Sequence, residues 1–156
     1  MQIRYIRDMG VDTTQGRMHW CRVYARTTSG SNAPILTTNI SMTVDGVASG
    51  VGTSSGDAGT ALTSTLGYTP YIYNVTVGST SGPSVVMTID LGSVMEIINF
   101  QLVRYYGDGR TYSYTKTQVS ADGLNWTTLY DYTLLGTHSE RTNGDGMYFD
   151  ISTQAD

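Results

Sequence analysis

The chain has 156 residues, of which 39% are hydrophobic and only 14% charged, with a net charge of −4 and a pI near 4.9. That is long and apolar enough for one domain with a real core, and its charge lies well below the roughly 25% usual for soluble domains. There is no basic stripe to bind nucleic acid, and no apolar run approaches the roughly 20 residues of a membrane span.

Lys116 is the only lysine, and Glu96 and Glu140 are the only glutamates. Thr, Ser, Gly and Tyr take their places, and these residues favour strands and turns over helices. The expected class is all-β.

In chain order, "IRYIR" (3–7) opens with a strand signal, and "HWCRVYART" (19–27) reads as a second strand closed by the turn "SGSNAP". "ILTTNISMTVDG" (35–46) alternates through Ile40, Met42 and Val44 and ends at an Asp-Gly turn. Residues 46–65 are small and polar. They are expected to form a surface loop within a single 1–156 domain, because the residues before them are too few for an independent sandwich.

"YIYNVTVG" (71–78) alternates again, and "SVVMTIDLG" (84–92) reads as a strand ended by Gly92. "MEIINFQLVRYY" (95–106) is a further strand with Ile98, Phe100 and Leu102 on one face. Residues 112–132 read as two strands joined through Asp122 and Gly123, and "GMYFDI" (146–151) as the closing strand. Short strands with regular turn signals predict an antiparallel β-sandwich without a substantial helix.

Cys21 is the only cysteine, so an intrachain disulfide is impossible, and "MQIRYIRDMG" has no hydrophobic run to serve as a signal peptide. The chain reads as made in a reducing cytoplasm, which conflicts with its adhesive-looking Thr/Ser/Gly/Tyr composition. A virion protein, assembled inside a cell and working outside it, resolves the conflict. So would a chain processed after synthesis.

Three motifs stand in order: Ile89, Asp90, Leu91, Gly92; then the Ile-rich strand 97–102; then Ser120, Asp122, Gly123, Trp126. Together they resemble the discoidin-like, coagulation-factor type C family, whose relatives include family 32 carbohydrate-binding modules. The family's last elements come first here, as Arg4, Tyr5, Ile6, Arg7 and then His19 through Tyr24. The sequence therefore resembles a circularly permuted member, similar to domains of tailed-bacteriophage fibre and virion proteins. The resemblance implies an antiparallel jelly-roll of the galactose-binding-like type, with the first strand near the last. It also implies a core of Trp126, Phe100, Leu102, Ile89, Leu91 and Val119.

Many members hold calcium with a turn aspartate and a late glutamate. Asp45 is the weak candidate for the aspartate here, but Arg22 stands at the glutamate position, a cation where calcium needs oxygen. No cofactor is expected, and a plain turn aspartate is the favoured reading of Asp45. His19 and His138 show no nucleophile at motif spacing, and no phosphate loop precedes a helix, so no enzyme is expected. Asn39, Asn74 and Asn125 stand in glycosylation sequons, which are common by chance in a Thr/Ser-rich chain.

The stretch "RYYGDGRTYSY" (104–114) sets tyrosines and arginines around a Gly-Asp-Gly turn. Tyrosine packs on the apolar face of a sugar and bonds its rim, and arginine forks onto hydroxyls or acids. The same residues suit protein interfaces, or a strand with Arg110 paired to Asp108. The candidate ligand site, for glycan or partner protein, is Arg104, Tyr105, Tyr106, Asp108, Arg110 and Tyr112.

The expected function is that of a non-enzymatic bacteriophage tail, fibre or surface component, assembled in host cytoplasm and carried on the virion as a homo-oligomer beside other virion proteins. It would adhere to host-surface glycans. The alternatives are a purely structural decoration or assembly protein and a bacterial carbohydrate-binding module.

Overall fold

A computed structural model of the chain describes residues 1–54, 62, 67–135, 138–139 and 146–152. These residues form β1 (Gln2–Asp12), β2 (His19–Thr27), β3 (Ile40–Val44), β4 (Val47–Ser49), β5 (Val51–Thr53), β6 (Ile72–Asn74), β7 (Val85–Arg104), β8 (Thr111–Ser120), β9 (Thr127–Asp131), β10 (His138–Ser139) and β11 (Met147–Asp150). One helical turn, α1 (Tyr132–Leu135), follows β9. The expected all-β, antiparallel class is the observed one, and none of the described helices is long and apolar enough to cross a membrane.

The strand β7 organises the architecture. Its first half lies between β3 and β1, in a sheet that continues from β1 to β8 and then to β9 and β10. Its second half lies between β2 and β11, in a sheet that continues from β2 through β6 to β5. Sequence reading divides this segment into two strands at Gly92, but it is one strand of 20 residues. Gly92, at φ 87°, does not end the strand; it carries a bulge. Leu91 to Val94 stand opposite Arg4 alone, because Tyr5 pairs with Asp90 and Ile3 with Met95. Arg4 donates to both Asp90 oxygens at 2.8 and 2.9 Å and clamps the bulge.

The bulge and a register shift beside β2 move the buried phase, so that Ile97 rather than Ile98 lies inside. Phe100 and Leu102 are buried as expected, as are Ile89, Leu91 and Val119. Together with Ile3, Ile6, Val23 and Ile72 they form one apolar cluster drawn from both sheets. Trp126 departs from expectation. It is half-buried and stacks on Arg7, while the tryptophan in the core is Trp20, fully enclosed. The expected strand 71–78 stops at Asn74, whose buried side chain accepts the Met18 N–H at 2.7 Å and donates to the Thr76 carbonyl. The expected surface loop 46–65 includes β4 and β5, and its Leu62 is fully buried; 55–61 and 63–66 lie outside the described residues.

The first and last strands do not pair with each other. They flank the same strand, since the Met1 carbonyl accepts the Ile97 N–H at 2.9 Å and the Ile98 carbonyl accepts the Ile151 N–H at 3.0 Å.

A buried ion pair crosses the interior. Asp8 of β1 and Arg104 of β7 are both fully enclosed. Arg104 donates from Nε and Nη2 to the two Asp8 oxygens at 2.9 and 2.7 Å. Trp20 Nε1 and Thr117 Oγ1 donate one further bond to each oxygen, at 2.7 and 2.8 Å. Asp8→Asn leaves Arg104 as an uncompensated buried cation and is expected to cost about 3–5 kcal/mol. Arg4→Ala, at a partly exposed pair that solvent screens, should cost far less. Urea unfolding of the two variants measures both, and equal losses would refute a dominant role for the buried pair.

Candidate functional site

The loop between β7 and β8 is a tight turn, in which Gly109 N–H donates to the Tyr106 carbonyl at 3.0 Å and Asp108 stands exposed at the tip. Only part of the expected ligand site faces outward. Arg104 and Tyr112 are fully enclosed, and Tyr106 is buried at 6% exposure. Strand alternation at the end of β7 sends Arg104 and Tyr105 to opposite sides. Arg104 turns inward to Asp8 and Tyr105 outward, while Tyr106 is buried with Val103 and Cys21 in a second, smaller cluster that Tyr105 packs against. Tyr112 points into the core end, where its hydroxyl donates to the Tyr105 carbonyl at 2.7 Å. Tyr105, Asp108 and Arg110 remain at the surface.

Arg110 is held on every side. Its Nε and Nη2 donate to Asp108 at 2.9 and 2.8 Å, and its Nη1 reaches Asp12 Oδ2 at 3.2 Å and His19 Nδ1 at 3.1 Å. The hydrogen bond from Arg110 holds the Asp108 carboxyl below its usual range, and Asp108 in turn raises the Arg110 guanidinium. The guanidinium is therefore not a loose fork for a ligand, and the pairing of Arg110 with Asp108 is the arrangement present. Asp12 is fully buried, and its other oxygen caps the β1–β2 turn by accepting the Thr14 and Gln15 N–H groups. Burial and then the Arg110 charge push the His19 pKa down to about 4, against the weaker pull of Asp12. The neutral ring accepts from Arg110 at Nδ1, which places its own proton on Nε2.

Around His19 lies a face of tyrosine rings. Tyr73 stacks on His19 at 5.7 Å between centroids, and Tyr71 meets it edge-on at 5.5 Å. Tyr105 packs edge-on against Tyr71 at 4.9 Å and against Tyr68 at 5.3 Å, and covers the Arg110 guanidinium at 4.8 Å. Tyr68 also meets the buried Tyr106 at 5.5 Å. Gly107 permits this approach, because a Cβ there would stand 2.6 Å from the Tyr68 ring. Tyr71, Tyr73 and Tyr105 are half-buried and Tyr68 is exposed. Burial, with Asp108 nearby, raises the Tyr105 phenol, so it stays a neutral donor at pH 7.

No family model, curated protein or solved structure matches the chain.

Asp45 sits at the β3–β4 turn with φ 50°, and its N–H donates to the Ser84 carbonyl at 2.8 Å. Arg22 lies in β2 opposite Val103. Among the described residues no three His, Cys, Asp or Glu side chains gather as metal ligands. The side chain of His138 lies outside the described residues. Of the sequon asparagines, Asn74 is fully buried. Sequence reading passed over His19, Tyr68, Tyr71 and Tyr73 as site residues. Tyr71 and Tyr73 carried a usable signal, since their spacing puts two rings on one face of a strand.

His19 makes stability pH-dependent. Its folded pKa of about 4 lies below the ordinary 6.5, so between these values the unfolded chain binds more protons than the folded one. Stability is full above pH 6.5 and falls as the pH drops towards 4. The wild type should be about 2 kcal/mol less stable at pH 5 than at pH 7, and His19→Gln should be nearly flat over that interval. Urea unfolding at the two pH values decides it; equal slopes would show that His19 is not the group responsible.

Proposed function

We propose that this chain is a non-enzymatic saccharide-binding module, a galactose-binding-like jelly-roll carried on a tailed-phage virion for adhesion to host-surface glycans. The observation that carries the reading is the face of Tyr68, Tyr71, Tyr73 and Tyr105 around His19. Rings fixed edge-to-face by one another offer apolar area at little entropic cost, and their hydroxyls supply a polar rim. The family resemblance supplies the virion and jelly-roll parts.

A binding role also accounts for the acids beside the face. Glycoside hydrolysis needs one carboxyl held protonated near neutral pH. Asp108 is held low by Arg110, and both Asp12 oxygens are occupied by hydrogen bonds.

The second reading is a structural virion component that uses the same face against a neighbouring protein. It draws on Val75 and Val77, 46% and 58% exposed, which follow Tyr73 in the chain. Tyrosine and arginine are also common at protein interfaces.

Tyr71→Ala combined with Tyr105→Ala should leave the melting temperature within a few degrees of wild type and weaken glycan-array binding about tenfold or more. Unchanged glycan binding in a folded double variant would refute the saccharide reading. Lost incorporation into particles, with glycan binding intact, would establish the structural one.

A further inference from the structure

The outer face of the first sheet carries an arginine, Arg7, set up differently from Arg4, Arg104 and Arg110, which are each paired with an aspartate. Ser41, Thr88, Arg7, Gln118 and Thr128 lie side by side across β3, β7, β1, β8 and β9. The Arg7 guanidinium lies over the Trp126 ring, 3.8 Å from its centroid. Its Nε donates to Gln118 Oε1 at 2.8 Å, and Gln118 Nε2 donates to Thr128 Oγ1 at 2.8 Å. The stack fixes the plane of the guanidinium, and the Nε bond fixes its rotation within that plane. Its two Nη amino groups have no acceptor among the described residues. By contrast, Arg4 is paired with Asp90, Arg104 with Asp8 and Arg110 with Asp108.

The surrounding charges cancel. Lys116, two residues before Gln118 on the same face of β8, pairs with Asp131 at 3.0 Å, and Asp90 is taken by Arg4. Arg7 is left as a half-buried, uncompensated cation. Burial lowers its pKa, the signature of a guanidinium that has lost water without gaining an anion.

We propose that Arg7 anchors a second ligand site, separate from the tyrosine face, that takes the carboxylate of an acidic saccharide such as a uronic acid. The exposed edge of a fixed guanidinium matches the two oxygens of a carboxylate. The flanking Ser41, Thr88 and Thr128 hydroxyls can partner the ring hydroxyls that a sugar carries and an acidic peptide side chain lacks. The fork is pre-organised, so little rotamer freedom remains to be lost on binding.

The test is a titration of the ¹⁵N-labelled protein at low salt, following the Arg7 Nε–H and Trp126 indole N–H signals. The probes are galacturonate, galactose, inorganic phosphate and N-acetyl-aspartate amide. Galacturonate should give a saturable shift at both signals, at least roughly tenfold tighter than any other probe. The same shift should appear in the Tyr71→Ala, Tyr105→Ala double variant, which separates this site from the tyrosine face. Arg7→Gln should abolish the Trp126 shift, and Arg7→Lys, which keeps the charge and the folded state but not the fork, should weaken it at least roughly tenfold. Non-saturating galacturonate, or binding kept in either variant, overturns the proposal. Equal binding of phosphate shows a generic oxyanion site, and equal binding of the aspartate amide shows a peptide site; either overturns it as well.

Discussion

The Asp8 carboxylate is the constraint on which the rest of the molecule depends. An anion in a closed interior is tolerable only when each oxygen is satisfied, and here each receives two donors, from Arg104, Trp20 and Thr117. These come from β7, β2 and β8 and converge on β1, so one carboxylate ties both sheets together. It also decides what reaches the surface. Because Arg104 turns inward, its neighbour Tyr105 is presented outward. The place of Tyr105 in the tyrosine face is thus tied to a buried charge on the other side of the strand.

The continuity of β7 sets the second level of organisation. A single strand serves both sheets, and the Arg4-clamped bulge at 91–94 lets it change partners without ending. The two surface regions sit on different partners of that strand. The tyrosine face gathers where β7 ends beside β2, and the Arg7 row crosses its first half from β3 to β9.

Much of the fold was legible because period-two alternation is a local signal. Residues 19–27 match β2, Ile40, Met42 and Val44 are the buried side of β3, and Asp122-Gly123 lies in the connection between β8 and β9. Gly92 misled because a positive-φ glycine reads the same in a turn and in a bulge, and only the facing strand tells them apart. Trp126 misled because a large aromatic suits a core as well as a cation, and Arg7 lies far from it in sequence. The site was half legible. Tyr105, Asp108 and Arg110 could be marked from the turn, but the inward turn of Arg104 depends on Asp8, at the other end of the chain. The convergence of His19, Tyr68, Tyr71 and Tyr73 on Tyr105 is likewise a product of strand pairing, which composition does not record.

The closed set of contacts at Arg110 shapes how the tyrosine face meets its surroundings. Asp108, Asp12 and neutral His19 are arranged around the Arg110 guanidinium, and the other cation of that margin is Arg17, whose guanidinium stands 5.9 Å from the Tyr73 ring and donates to the Val75 carbonyl at 3.5 Å. What the rings themselves offer is short-ranged, apolar area and hydroxyl hydrogen bonds, which dissolved ions screen little. Contact with the rings is therefore expected to depend little on ionic strength, whereas contact beside Arg17 is expected to weaken as salt is added.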